Sequence, residues 1–179
     1  MLEICEWFKI KVMKIKTKEK TITDKNEAKS FLEKYGLYAE FWQPEVSDPA
    51  ISDPLVKYAN QIQKLKKKFT YSSADVCAMS SNTQNLDKML SAFVKEHHHT
   101  DDEVRFIVEG EGIFGVNPLI DPSFEVYVQP GELLVVPANT RHWFNLTDKK
   151  NICCIRVFKE NPKWEAIYEM PEEKLKVES

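Results

Sequence analysis

The feature that most constrains the fold of this chain is a change of pattern at residue 97. Beyond that point short β-rich runs follow one another closely, and turn-forming sequences such as Asn117-Pro118, Asp121-Pro122 and Pro130-Gly131 separate them. Several short strands at this spacing are typical of a β-sandwich or a barrel. The strands predicted in this way cover residues 103–109, 112–117, 124–129, 132–136, 141–145 and 151–158.

The N-terminal part is predicted to begin with a strand and a helix. Residues 9–16 alternate between basic and apolar side chains, which indicates a strand with one wet face, and the lysines would suit an edge strand. Asp24 with Glu27 three residues later is typical of a helix start, and Gly36 predicts the end of that helix. The segment 37–52 is predicted to form a short strand and then a loop.

Two further helices are expected before residue 97. The sequence Ser52-Asp53-Pro54 starts one of them, with proline at the tolerated first position, and its apolar face continues to Phe69. Residues 84–95 are predicted to form the other helix. This helix is predicted to bury Leu86, Met89, Leu90, Phe93 and Val94.

A chain of 179 residues is expected to form a single domain with a substantial core. The predicted class is mainly β with N-terminal helices. Within the domain 1–179, residues 1–22 would form an N-terminal strand and arm, and residues 23–96 a helix-rich part. Residues 97–170 would carry the barrel motifs and residues 171–179 an acidic tail.

Composition argues against several classes of protein. The net charge of −3 disfavours non-specific nucleic-acid binding, which requires a strongly positive surface. There is no run of 18 apolar residues, so no membrane span is expected. The opening residues MLEICEWF carry two glutamates and no long apolar stretch, so no secretory signal is expected. The four cysteines do not suggest a disulfide framework, which predicts reduced thiols and a cytoplasmic location.

Histidine is unevenly distributed along the chain, with three consecutive residues at 97–99 and a fourth at 142. On an extended backbone, residues i and i+2 face the same way, so His97, His99 and Glu103 share one side. His98 then faces the other side. Two imidazoles and a carboxylate suit Fe, Mn, Co, Ni or Zn, and His142 can add a fourth ligand from a distant strand. This pattern predicts a metal site.

Two plainer interpretations of the histidines stay open at this point. The run at 97–99 could be an accidental surface cluster that binds metal only in vitro. His142, which precedes Trp143-Phe144, could be a core histidine whose N–H is satisfied internally.

Two spaced motifs resemble those of the cupin superfamily, a small double-stranded β-helix or jelly-roll barrel. Asn139 stands where the second motif usually has glycine, and asparagine is the next residue best able to adopt the left-handed backbone. The motifs are His97-x-His99-x3-Glu103-x6-Gly110 and Gly131-x5-Pro137-x-Asn139-x2-His142.

Three longer stretches carry a more specific signal. They are EVRFIVEGEG at 103–112, VPANTRHWF at 136–144 and IRVF at 155–158. Together they resemble the signature of acireductone dioxygenases, cupins that act in methionine salvage. The likeness extends from about Phe31 to about Tyr168 and leaves out the N-terminal residues and the acidic tail.

This resemblance implies a fold, a cofactor and an activity. A cupin jelly-roll barrel is expected, with one Fe(II) or Ni(II) per chain held by His97, His99, Glu103 and His142. With Fe(II), the family cleaves the acireductone 1,2-dihydroxy-3-oxo-5-(methylthio)pentene with O2 to formate and 4-methylthio-2-oxobutanoate. With Ni(II), it produces carbon monoxide, formate and 3-methylthiopropanoate. The expected partners are this small molecule and O2, and the expected oligomeric state is a monomer.

The resemblance also suggests roles around the metal. Arg105 shares the ligand face, and its permanent charge could neutralise a substrate anion, although an Arg paired structurally with a carboxylate is the alternative. Glu96 and Asp102 match positions linked to metal incorporation and conformational change, or they fix histidine tautomers. The candidate pocket residues are Phe93, Phe106, Phe144, Arg156 and Trp164, and any one of the four aromatic residues could instead belong to the core.

Two other functions stay open. The chain could be a non-catalytic cupin that binds a metal or small ligand as a sensor or storage module. It could also be a cupin oxygenase that acts on a different substrate, such as a flavonol or a thiol.

Overall fold

The computed structural model describes residues 13–44, 50–161 and 165–168. The helices in these ranges are α1 (Lys25–Lys34), α2 (Pro54–Lys57), α3 (Ala59–Phe69) and α4 (Leu86–Phe93). The first five strands are β1 (Lys14–Lys16), β2 (Thr21–Ile22), β3 (Tyr38–Phe41), β4 (Ser73–Ser80) and β5 (Glu103–Gly110). The others are β6 (Gly112–Asn117), β7 (Phe124–Val128), β8 (Glu132–Val136), β9 (Arg141–Leu146) and β10 (Asn151–Phe158).

The strands form two antiparallel five-stranded sheets, in the orders β2-β1-β7-β6-β9 and β3-β8-β5-β10-β4. A shared apolar core contains Phe114 and Val126 from the first sheet and Ile107 and Leu134 from the second. All six strands predicted beyond residue 97 are present, with ends that differ by at most one residue. The prediction of a mainly β cupin fold is confirmed.

A second apolar core covers the outer face of the sheet that contains β5. Side chains alternate along β5, so Ile107 belongs to the core between the sheets whereas Val104 and Phe106 belong to the outer one. There they pack with Tyr58 at the end of α2 and with Ile62 of α3. Helices α2 and α3 therefore pack on the outside of this sheet, whereas α1 and α4 contribute Ala28, Leu32, Leu86 and Leu90 to the core between the sheets.

The first predicted helix is confirmed at both ends. The Asp24 side chain accepts hydrogen bonds from the backbone N–H groups of Asn26 and Glu27, which stabilises the start of α1 by about 1 kcal/mol. Gly36 follows the helix with φ of +77°, the left-handed conformation that glycine adopts without strain.

The helix predicted from Pro54 to Phe69 is in fact two helices, α2 and α3. Tyr58 interrupts it with φ of −114° and ψ of 21°, outside the helical region. Its ring is buried against Phe106, with 4.5 Å between the ring centroids. Burial of this aromatic ring compensates for the loss of regular helix, which a periodicity argument does not anticipate.

The burial predicted for the helix at 84–95 is partly wrong. Leu86 and Leu90, one turn apart on α4, are buried, whereas Met89, Phe93 and Val94 are 37–42% exposed. A helix of eight residues presents only a narrow stripe to the core, so not all of its apolar residues reach it.

Two features of the sheets differ from expectation. The sequence did not suggest β4, which pairs with β10 along its whole length. The strand predicted in residues 9–16 is described from Lys14, with Ile15 buried between two exposed lysines, so the wet face is confirmed. It is not an edge strand, however, because β1 lies between β2 and β7.

Among the helices in these ranges, none has the length and apolar character that a membrane crossing requires. The single domain 1–179, with divisions after residues 22, 96 and 170, stays a prediction.

Candidate metal centre

Four side chains predicted as metal ligands meet where the two sheets face each other. His97 and His99 lie on the segment before β5, Glu103 is the first residue of β5, and His142 belongs to β9 in the other sheet. The backbones of His97 and His142 are joined by two hydrogen bonds of 2.9 Å, which ties the two sequence motifs together.

The four side chains form a compact and buried group. One potential ligand atom from each lies within 4.8 Å of all the others. The residues are 2–7% exposed, which excludes an accidental surface cluster. His98 stands outside this group, as the alternation argument predicted. Its backbone pairs with that of Ile167.

Hydrogen bonds to the backbone set the tautomer of all three histidines. Each Nδ1 lies next to a carbonyl oxygen, which can only accept, so each Nδ1 carries the proton and Nε2 keeps its lone pair. The acceptors are Lys95 for His97 at 2.7 Å, Glu165 for His99 at 3.0 Å and Thr140 for His142 at 2.7 Å.

The Nε2 atom of His142 shows that the group suits a cation. It is buried, has no hydrogen-bond partner, and lies 2.6 Å from Oε2 of Glu103. Two electron-rich atoms at this separation repel unless a proton or a metal ion lies beside both. Three imidazoles and one carboxylate, with no thiolate, are ligands for a divalent metal such as Fe, Ni or Zn and would leave two positions of an octahedron open.

Arg105 controls the charge of Glu103. Its Nη2 forms a salt bridge of 2.8 Å with Oε1 of Glu103, while Oε2 faces Nε2 of His142 at 2.6 Å and Nε2 of His99 at 3.7 Å. Burial disfavours ionisation of Glu103, but the positive charge of Arg105, followed by the contact with the His142 imidazole, outweighs it. The pKa of Glu103 therefore lies far below its usual value. The carboxylate is kept ionised, as a metal ligand must be.

Arg156 lies directly opposite Arg105 on the neighbouring strand β10. Like charges in this position repel, and each guanidinium is balanced by its own carboxylate. Arg156 donates to Asp75 through Nε at 2.8 Å and Nη2 at 2.5 Å, and this pair raises the pKa of Arg156. Arg156 therefore shares the ligand face but is bound by a carboxylate that the sequence did not indicate.

Asp102 holds together the two segments that carry the ligands. Its Oδ1 accepts from the backbone N–H of Ala138 at 3.0 Å, in the turn before β9. Its Oδ2 accepts from the Tyr71 hydroxyl at 3.0 Å and lies 3.4 Å from Nζ of Lys159. The same turn contains Asn139 at φ of +63°, so asparagine does adopt the left-handed backbone here.

Glu96 makes contacts of another kind. Its Oε2 accepts from Nδ2 of Asn117 at 2.8 Å, and its Oε1 lies 3.7 Å from Nη1 of Arg141. The expectation that Glu96 and Asp102 fix the histidine tautomers is wrong, because backbone carbonyls occupy all three Nδ1 positions.

The four aromatic residues predicted to line a pocket are placed very differently. Phe144 belongs to the core between the sheets, two residues from His142 on the same strand, and packs against Phe114. Phe106 faces the opposite side of β5 and stacks on Trp42, so the structure does not bring it to the metal ligands. Phe93 is 37% exposed at the end of α4, and Trp164 lies outside the described residues.

Sequence reasoning missed the residues that support the site from β4 and the segment just before it. Tyr71 and Asp75 bind Asp102 and Arg156, yet neither belongs to a recognisable motif. Only the pairing of β4 with β10 brings them close.

Comparison with known proteins agrees with this geometry. The model of the ARD/ARD' family matches residues 9–166. An acireductone dioxygenase from Sulfurihydrogenibium sp. is 41% identical over 160 residues, which cover 83% of this chain and 89% of the relative. The chain belongs to the acireductone dioxygenase family. A Bacillus cereus acireductone dioxygenase is 35% identical over 170 residues, 89% of this chain and 98% of the relative.

A solved acireductone dioxygenase has the same fold. The Bacillus anthracis enzyme, described with a cadmium ion in its active centre, superposes with a TM-score of 0.80 at 34% identity. The match covers 88% of this chain and 99% of that one. The resemblance to acireductone dioxygenases inferred from the sequence is therefore confirmed.

Proposed function

We propose that this chain is a metal-dependent dioxygenase that cleaves 1,2-dihydroxy-3-oxo-5-(methylthio)pentene with O2 in methionine salvage. The observation that carries the proposal is the buried group of His97, His99, Glu103 and His142 with Arg105 attached to the carboxylate. Membership of the acireductone dioxygenase family supports the substrate class.

A divalent metal held by these four residues would bind oxygen atoms of the substrate. It would thereby bring the electron-rich enediol of the acireductone close to O2. Arg105 keeps its charge at every relevant pH and stands beside the ligand group, where a second anion would be stabilised. Phe144 provides an apolar surface on the same strand as His142. These residues bind and orient the substrate, while no additional histidine is required as a general base.

We propose Fe(II) or Ni(II), one per chain, as the physiological metal. The donor set accepts either, so availability contributes to the choice. The Fe(II) form would yield formate and 4-methylthio-2-oxobutanoate, and the Ni(II) form carbon monoxide, formate and 3-methylthiopropanoate. We also propose a monomer in the cytoplasm that binds no nucleic acid or membrane, in line with its net charge of −3.

The test is to prepare metal-free protein, reload it separately with Fe(II) and Ni(II), and supply the acireductone and O2. Oxygen uptake with the two product sets is the expected result. Metal-loaded protein that leaves the substrate untouched would identify a binding module. Turnover of a flavonol or thiol in place of the acireductone would identify a different oxygenase.

A further inference from the structure

Two cysteines that the proposed function does not use lie side by side in the sheet that carries Glu103. Cys77 on the edge strand β4 pairs directly with Cys154 on β10. Both thiols are free, and interaction between the two side chains shifts the pKa of each. Cys77 is partly exposed, whereas Cys154 is 5% exposed.

The register of the pair brings its two Cα atoms within the separation that disulfides span. Residues directly opposite on antiparallel strands have Cα atoms about 4.5 or 5.5 Å apart, depending on the type of pair. Disulfides span Cα separations of about 4.4–6.8 Å, so either type lies within range. Both side chains face the core between the sheets, because Cys154 belongs to that core and Cys77 packs against it.

The charges around the pair favour a thiolate at the more accessible position. Interaction with the neighbouring Cys154 thiol lowers the pKa of Cys77, although burial opposes it, and the positive charges of Arg156 and Arg105 lower it further. The same contact and burial raise the pKa of Cys154, which therefore keeps its proton. An accessible thiolate beside a protonated thiol is the arrangement of an attacking and a resolving cysteine.

We propose that Cys77 and Cys154 form a dithiol that hydrogen peroxide converts into a reversible disulfide. The Cys77 thiolate attacks one peroxide oxygen, the O–O bond breaks, and sulfenic acid and hydroxide form. The Cys154 thiol then displaces the sulfenic hydroxyl, which leaves as water after taking up the thiol proton. The two sulfurs lose two electrons in total, and the peroxide is reduced to water.

The disulfide would lie next to the residues that surround the metal ligands. Cys154 is two residues from Arg156 and pairs with Ile107 on β5, two residues from Arg105. Oxidation would remove the thiolate charge near both guanidiniums and join the edge strand β4 covalently to β10. The pair is thus a modification site at the side of the proposed active centre, distinct from its ligands.

The experiment uses the full-length protein as isolated, titrated with limiting hydrogen peroxide. Remaining thiols are then blocked with N-ethylmaleimide, and peptides are analysed by mass spectrometry without reduction. We expect a linkage between the peptides of Cys77 and Cys154 that dithiothreitol reverses. Cys77 should be lost at least about tenfold faster than Cys153, whose pKa burial raises.

The matched control is Cys153→Ala, because Cys153 adjoins Cys154 but does not pair with Cys77. This variant should form the same linkage as the unmodified sequence. Cys154→Ala should instead accumulate sulfenic acid at Cys77, which dimedone traps, and Cys77→Ala should form no linkage. The proposal is overturned if the linkage joins Cys153 to Cys154, if it involves Cys5, or if Cys77→Ala oxidises as fast as the unmodified sequence. None of these outcomes depends on turnover of the acireductone, so the proposed function is tested separately.

Discussion

Two glutamates on the inner face of one sheet have pKa values that are shifted in opposite directions. Glu103 begins β5 and pairs with Val136 at the end of β8, whereas Glu132 is the first residue of β8, at the other end of the sheet. Both are buried, at 7% and 3% exposed. The pKa of Glu103 lies far below its usual value, while burial raises the pKa of Glu132 to about 8.

The partners of the two carboxylates explain this difference. Glu103 contacts the guanidinium of Arg105 and the imidazoles of His142 and His99. Glu132 receives its hydrogen bonds from uncharged groups, among them the backbone N–H of Gln129 at 2.9 Å. Burial by itself therefore neutralises a carboxylate, and an ionised ligand inside a protein requires positive charge built around it.

The largest effect is expected on metal affinity when Glu103, the ionised carboxylate, loses its charge. Glu103→Gln should weaken divalent metal binding by more than about 100-fold, since it removes a ligand and not merely a partner of one. Isothermal titration with Ni(II) measures this, and Glu132→Gln serves as the control because it is equally buried but distant. Equal affinities for the two variants would contradict the assignment of Glu103 as a ligand.

Removal of the Arg105 guanidinium should remove the positive charge that distinguishes the surroundings of Glu103 from those of Glu132. Arg105→Met leaves the charge of Glu103 uncompensated, so metal-free protein should lose about 3–5 kcal/mol of unfolding free energy. A bound divalent ion supplies positive charge in its place, so the loss should be smaller with Ni(II) present. Urea unfolding with and without the metal tests this.

Arg156→Met is the matched control for that measurement. Its partner Asp75 is half-exposed, so the loss should be about 1 kcal/mol and independent of metal. A metal-dependent loss in this variant, or a metal-independent one in Arg105→Met, would argue against the role given to Arg105.

The pH dependence of the unfolding free energy should report the raised pKa of Glu132. The pKa of Glu132 is raised from its usual 4.5 to about 8, so between these values the folded protein holds a proton that the unfolded chain releases. Stability should therefore fall as pH rises from 4.5 to about 8 and then level off. Glu132→Gln should remove this fall, which is on the order of 5 kcal/mol. Parallel curves for the variant and the unmodified sequence would show that Glu132 ionises normally.

The smallest effect concerns a third carboxylate, Asp102, which is only partly buried. Tyr71→Phe removes the hydroxyl that donates to it and should cost about 1 kcal/mol, measured by thermal unfolding. Ni(II) affinity should change far less than in Glu103→Gln, because Asp102 still binds the backbone of Ala138. A large loss of metal affinity would mean that Tyr71 holds the ligand loop in place.

The strands beyond residue 97 could be predicted closely because their patterns are local. Turn residues separate the runs, and each side chain faces inward or outward by alternation, which is why His97, His99 and Glu103 could be grouped. Phe106 was assigned to the pocket from resemblance, although the same alternation places its side chain on the other face of β5 from that of Glu103.

Other features could not be predicted because they depend on distant contacts. The helix is interrupted at Tyr58, whose ring packs on Phe106. The strand β4 is stabilised by its pairing with β10. The histidine tautomers depend on backbone carbonyls, one of which belongs to Glu165 near the end of the described chain.

By itself the sequence determined the β architecture, the four candidate metal ligands and the family, because spacing and residue type encode them directly. Only the tertiary structure decided the contact of Glu103 with His142, the balance of Arg156 by Asp75 and the pairing of Cys77 with Cys154. Each of these depends on atoms that are brought within a few ångströms by strands far apart in the chain. Electrostatic interactions and hydrogen bonds act over such distances, whatever the separation in sequence.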